Sequence, residues 1–209
     1  MAVYLDEDCL GTDPRRIGFP HLLLCMGVVV LTDNALYGVH IVDGSDRNET
    51  IPEFGRYLAR LGVQAGDMRT LYGSCNWEVR YGGANNKKDA WKAEMRHIAG
   101  VIGFQGRAKG FDTSIIAPQE GTYVEYVLSF GMRRCRIFYK RHEKMNYGPK
   151  NVTVGKVGGR NQMVNGLPAR VTEVRQLASH STAGVIPTGS NQGLLHEVNY
   201  ALRLVSFAV

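Results

Sequence analysis

The sequence predicts a mixed α/β (α+β) fold, a mostly antiparallel β-sandwich flanked by helices, and three patterns carry that expectation. A valine-rich apolar run at residues 22–31 is followed, after Thr32-Asp33-Asn34-Ala35, by a second strand-like run at 36–42, which together read as a hairpin. Within 71–81, Leu71, Gly73, Cys75, Trp77, Val79 and Tyr81 alternate with Tyr72, Ser74, Asn76, Glu78 and Arg80, the two-residue period of a strand. Trp91, Met95, Ile98 and Ile102 fall on one stripe of a helix.

The elements follow in order. Residues up to Gly18 read as loop, punctuated by Gly11, Asp13 and Pro14. Residues 21–31 and 36–42 form the two hairpin strands. Phe54, Tyr57, Leu58 and Leu61 are spaced for a helix over 51–61 that stops at Gly62, a residue suited to the left-handed position past a helix end. The strand at 71–81 ends at Gly82-Gly83, and Asn86 or Asp89 then caps the helix of the Trp91 stripe. Gly103, Gly106 and Gly110 surround Arg107 and Lys109, but match no phosphate-loop fingerprint and read as loop. Strands are expected at 122–130 and 134–139, joined by a turn near Gly131. Glycine, asparagine, serine and threonine dominate 148–193, with short strand candidates at 152–157 and 171–177, and 194–209 suits either strand or helix. The chain therefore divides into an α/β domain at 1–148 and an irregular C-terminal extension at 149–209 packed on the same domain.

Composition bounds the function. With 44% hydrophobic and 21% charged residues in 209, the chain can bury a real core, which excludes wholesale disorder and a disulfide-only miniprotein. The net charge of +6 permits an acidic partner without specifying one. The longest apolar run is about half a membrane-spanning length, and the N-terminus lacks a basic export-signal region. A cytoplasmic location, or export without a cleaved signal peptide, is expected. Cys9, Cys25, Cys75 and Cys135 are widely spaced and form no C-x-x-C pair, so reduced thiols are the default reading and zinc is not expected. No cofactor is implied.

The hairpin brings a cysteine and a histidine together. If its turn has an even number of residues, Leu31 faces Leu36 and His40 lies opposite Gly27. Cys25 shares the face of Gly27, one diagonal step from His40, about 7–8 Å along the backbone. Gly27 offers no side chain to separate them, whereas an odd-length turn would send His40 to the other face. An imidazole beside a thiol can take its proton and leave a nucleophilic thiolate suited to acyl transfer, with backbone N–H groups near Cys25 as the natural oxyanion donors. A cysteine inside Leu-Leu-Leu-Cys-Met-Gly-Val-Val-Val also suits a purely structural role as a small buried hydrophobe.

The order strand, Cys25, strand, short turn, strand with His40, helix, glycine-containing strand, helix and final strand pair resembles the CheD-type chemoreceptor glutamine deamidases. The spacing, 40 − 25 = 15 positions, is similar to that in the catalytic domain of the cytotoxic necrotizing factors, which deamidate a glutamine of small GTPases. The resemblance spans roughly 20–147, in element order more than in residues. It implies Cys25 as nucleophile, His40 as base, a glutamine on another protein as substrate, and a bacterial effector or toxin. Where the CheD pattern has Gly-Ser before its cysteine this chain has Leu23-Leu24, and where it has a threonine six positions before the cysteine this chain has Phe19. A backbone carbonyl, as in the necrotizing factors, or a distant polar residue would then have to orient His40.

Other candidates rank lower. Gly73-Ser74-Cys75 could pair with His97, but the alternation places Cys75 on the apolar face. Cys9 follows Asp6, Glu7 and Asp8, whose charges disfavour its thiolate, and Cys135 alternates with Ile137 and Tyr139 as a core residue. Arg133, Arg134, Arg136, Lys140 and Arg141 form the densest basic run, suited to an acidic partner or to the solvated face of an edge strand. The expected function is a Cys-His hydrolase that deamidates a protein glutamine. The alternatives are a papain-like peptide or cell-wall amidase and a non-enzymatic module that binds an acidic partner. Neither membrane nor nucleic-acid partners are expected.

Overall fold

Two β-sheets lie face to face, and helices cover the outer face of the larger one. The architecture is that of a computed structural model, which describes residues 3–5, 7–43, 47–129, 134–141, 163–164, 167–168, 172–174, 196–198 and 204–209. In chain order the elements are β1 (Val3–Tyr4), β2 (Cys9–Asp13), β3 (Arg16–Leu22), β4 (Met26–Leu31), β5 (Leu36–Ile41), α1 (Arg47–Arg60), β6 (Thr70–Cys75), α2 (Trp77–Arg80), α3 (Lys87–Ile102), β7 (Arg107–Asp112), β8 (Thr122–Ser129), β9 (Arg134–Arg141), β10 (Met163–Val164), β11 (Leu167–Pro168), β12 (Thr172–Val174), β13 (His196–Glu197) and β14 (Leu204–Ala208). The seven-stranded sheet runs β12-β2-β5-β4-β6-β7-β14 and the five-stranded sheet β1-β3-β8-β9-β13, with β10 and β11 forming a separate pair. The mixed α/β class is as expected, and antiparallel pairings predominate.

The central strand β4 is buried at every position because both its faces are covered. Met26, Val28 and Val30 join the core beneath α1 and α3, with Phe54, Leu58, Trp91, Met95 and Ile98. Val29 and Leu31 face the opposite sheet and pack with Phe19, Tyr72, Val124, Tyr126 and Ile137. The Trp91 stripe of α3 is buried as its spacing requires, Asn86 caps the helix through Asp89 N–H, and Gly103 ends it at φ 72°. Trp91 rests so closely on β7 that a Cβ at Gly110 would come within 1.9 Å of its ring. Gly62 likewise closes α1 at φ 76°.

The structure corrects several boundaries. The segment before Gly18 is not loop: it holds β2 and the start of β3, which belong to different sheets. Pro14 occupies the link between them, where Asp13 Oδ1 accepts from Arg15 N–H at 2.7 Å and Arg16 N–H at 2.8 Å. The expected strand 21–31 is likewise two strands of different sheets, β3 and β4, turning at the corner 23–25. The strand at 71–81 stops at Cys75, since Asn76 Oδ1 accepts from Val79 N–H and starts the short helix α2. Residues 107–112, read as loop, form β7 parallel to β6. The described residues of the final segment hold the strands β13 and β14, and these, with β12, each extend an edge of one of the two large sheets. The turn near Gly131 and the strand candidate at 152–157 lie outside the described residues. Among the described residues no helix is long and apolar enough to cross a membrane.

Candidate active site

The hairpin register places the two candidate residues. Leu31 pairs with Leu36 and Gly27 with His40, as an even-length turn requires. Thr32 holds that turn closed, with Thr32 N–H donating to Ala35 O at 3.0 Å and Thr32 Oγ1 accepting from Ala35 N–H at 3.2 Å. Cys25 stands at the corner where the chain leaves β3 of one sheet for β4 of the other, and its side chain joins the core between the sheets. His40 faces the same side, edge-on to Phe19 with ring centroids 5.9 Å apart.

The orienting group of His40 is a backbone carbonyl. His40 Nδ1 lies 2.8 Å from Leu5 O, and a carbonyl can only accept, so Nδ1 carries the hydrogen. In the neutral ring the basic lone pair is then on Nε2. Leu5 is itself fixed by its N–H to Gly18 O at 2.9 Å, and Asp8 N–H donates to His40 O at 3.0 Å. The N-terminal segment thus straps across β5, with Leu5 and Asp8 both bonded to His40.

That strap brings acid to the thiol. Cys25 Sγ donates to Glu7 Oε1 at 3.8 Å, and Glu7 is exposed while Cys25 is 4% exposed. Burial above all, then the charges of Glu7 and Asp8 and the Glu7 hydrogen bond, push the Cys25 thiol up to about 12, against a partial opposing effect of Arg80. The acidic residues read as neighbours of Cys9 therefore act on Cys25. In this arrangement Cys25 is a protonated thiol beneath a carboxylate cover.

The space over Gly27 is not open either. A Cβ there would meet Phe19 Cγ at 2.6 Å, so the glycine admits the Phe19 ring from the opposite sheet. The Phe19 ring thus packs over Gly27 and edge-on to His40.

Behind the corner sits a buried polar cluster. Arg80 Nε donates to Glu94 Oε2 at 3.0 Å and Nη2 to Glu94 Oε1 at 2.6 Å, while Nη1 reaches Leu24 O at 2.6 Å and Ile41 O at 3.4 Å. Tyr81 O–H also donates to Glu94 Oε2 at 2.6 Å. Burial alone would pull Arg80 down, but Glu94 more than offsets it and the guanidinium is held as a cation. Sequence reading missed this residue because it lay on the polar side of what read as a strand.

The remaining candidates separate. Cys75 is wholly buried in the helix-side core and His97 is exposed on α3, so that dyad is not formed. Burial pushes the Cys75 and Cys135 thiols up, the latter to about 12. On β9, Arg134 and Arg136 are exposed and alternate with buried Cys135 and Ile137, and the Arg136 guanidinium lies 4.9 Å from the centre of the Phe138 ring. β9 is not an edge strand over Phe138 and Tyr139, which pair with β13. Arg133 and the side chains of Lys140 and Arg141 lie outside the described residues. Among the described residues no three His, Cys, Asp or Glu side chains converge as metal ligands. No protein-family model matches the chain, and comparison with curated proteins finds no match.

Proposed function

We propose that the chain is a Cys-His hydrolase that deamidates a glutamine side chain of another protein. The observation that supports this reading is the Leu5 carbonyl on His40 Nδ1, which leaves Nε2 as the nitrogen to act as base. His40 stands edge-on to the Phe19 ring, whose core cluster also holds Cys25. Binding of a substrate that displaces Glu7 frees the thiol to give its proton to Nε2. The thiolate adds to the carboxamide carbon, and the resulting imidazolium returns the proton to the departing nitrogen, releasing ammonia and leaving a thioester. Nε2 then takes a proton from water, whose oxygen attacks the thioester. Collapse expels the cysteine sulfur, which takes that proton back from the imidazolium, and leaves a glutamate.

A bacterial effector or toxin that acts in this way remains part of the same reading, and exposed Arg134 and Arg136 suit docking to an acidic surface of the target. The test is incubation with native proteins of a cell extract, followed by peptide mapping for glutamine-to-glutamate conversion and measurement of ammonia. Conversion that vanishes in both Cys25→Ser and His40→Ala supports the proposal. Conversion that survives Cys25→Ser refutes it, and chain cleavage in place of conversion assigns the dyad to a peptidase. Loss of binding on Arg134→Glu with Arg136→Glu, untouched by Cys25→Ser, would instead mark a binding module.

A further inference from the structure

We propose that Arg80 is the positioning residue of this site: its guanidinium clamps the chain at the residues flanking Cys25 and His40, and so sets the direction of the Cys25 backbone N–H. The inference rests on the hydrolase reading for its catalytic meaning and on hydrogen-bond geometry for its structural one. Leu24 immediately precedes Cys25 and Ile41 immediately follows His40, and both carbonyls converge on Arg80 Nη1. The opposite side of the same guanidinium is gripped by both Glu94 oxygens. Four donor contacts in one plane leave Arg80 a single orientation, and its side chain is fully buried.

The consequence follows from peptide geometry. The Leu24-Cys25 bond is trans, as are all the described peptides, so the Cys25 N–H points opposite to the Leu24 carbonyl. Holding that carbonyl on Arg80 therefore aims the Cys25 N–H away from the helix-side core. An N–H next to the nucleophile and fixed before substrate arrives is the donor that a tetrahedral oxyanion requires. The neighbouring strand closes the same way: with Ile41 O drawn to Arg80, the end of β5 that carries His40 cannot drift from the start of β4. The buried cation also stands near the sulfur and opposes the effect of Glu7 on it.

The test compares the wild type with Arg80→Lys and with the double variant Arg80→Met, Glu94→Leu, which removes both buried charges together so that neither is stranded. Circular dichroism and thermal melting establish that each is folded. The amide resonance of Cys25 in a ¹H–¹⁵N spectrum reads position, and iodoacetamide labelling of Cys25 against pH, resolved per cysteine by mass spectrometry, reads reactivity. Lysine keeps the charge but has no planar fork, so Arg80→Lys should preserve the pH dependence of labelling yet displace the Cys25 amide and slow deamidation. The double variant should also label more slowly at Cys25 at fixed pH, because it lacks the cation that opposes Glu7. A folded double variant with the wild-type Cys25 amide overturns the proposal, as does Arg80→Lys matching wild type in both amide and turnover. If the wild type converts no glutamine in the extract, the hydrolase reading fails alone, and the Cys25 amide still decides whether Arg80 positions the corner.

Discussion

Replacing Glu7 by glutamine removes one negative charge from beside Cys25 while keeping the size of the side chain. At 3.8 Å, a unit charge in water-like surroundings contributes about 1.1 kcal/mol, and that lower limit applies because Glu7 is exposed. This is about 0.8 of a pKa unit, or about sixfold more thiolate at any pH well below 12. A less basic thiolate is also a weaker nucleophile, which returns about twofold of that gain. The net expectation is labelling of Cys25 by iodoacetamide about threefold faster at pH 8. Per-cysteine mass spectrometry gives the rate, with buried Cys75 and Cys135 in the same molecule as references. Raising the salt concentration toward 1 M should shrink the ratio, since the screening length falls to about 3 Å. An unchanged or slower rate in the folded variant, or a ratio indifferent to salt, would refute the electrostatic account of the Glu7 cover.

Three further outcomes follow from the packing and the buried groups. Gly27→Ala should lower stability by about 1–3 kcal/mol in urea denaturation, because its Cβ collides with a fully buried Phe19 ring; a wild-type midpoint would contradict that contact. Glu94→Leu alone should cost about 3–5 kcal/mol by leaving Arg80 charged and buried, and most of the loss should be recovered when Arg80→Met is added; equal stability of single and double variants would speak against the pair. Folding holds the Cys25 and Cys135 thiols protonated up to about 12 against an ordinary 9.0. The native state then binds more protons than the unfolded chain from pH 9 upward, and each thiol should cost up to about 1.4 kcal/mol per pH unit over that window. A flat stability profile between pH 9 and 10.5 would be inconsistent with their burial.

Local pattern went far where a period or a turn decided the outcome. The even turn at Thr32 to Ala35 carried the whole β4-β5 register, with Gly27 opposite His40, whereas Cys25, read as part of that strand, stands just before it at the corner between the sheets. The α3 stripe and its Asn86 and Gly103 ends were equally legible. The strand β2 and the start of β3 were hidden because Gly11, Asp13 and Pro14 read as breakers, whereas Pro14 sits in the tight link and Gly11 pairs within β2. What completes the site left no side-chain signal. The orienting group on His40 is the carbonyl of Leu5, which any residue could supply at that position. Glu7 reaches Cys25 and Arg80 reaches Leu24 across 18 and 56 positions, distances that only the folded chain closes.

The pairing of β14 with β7 carries a cost in time. Val205 sits opposite Gly110, so 205 − 110 = 95 residues separate the two halves of that ladder. At about 5–20 residues per second of synthesis, β7 waits about 5–20 seconds for its outer neighbour. During that interval its main chain is a template for any other extended segment. Arg107 and Lys109, carried along β7, are the kind of charge that keeps stray strands off such an edge until its own partner emerges.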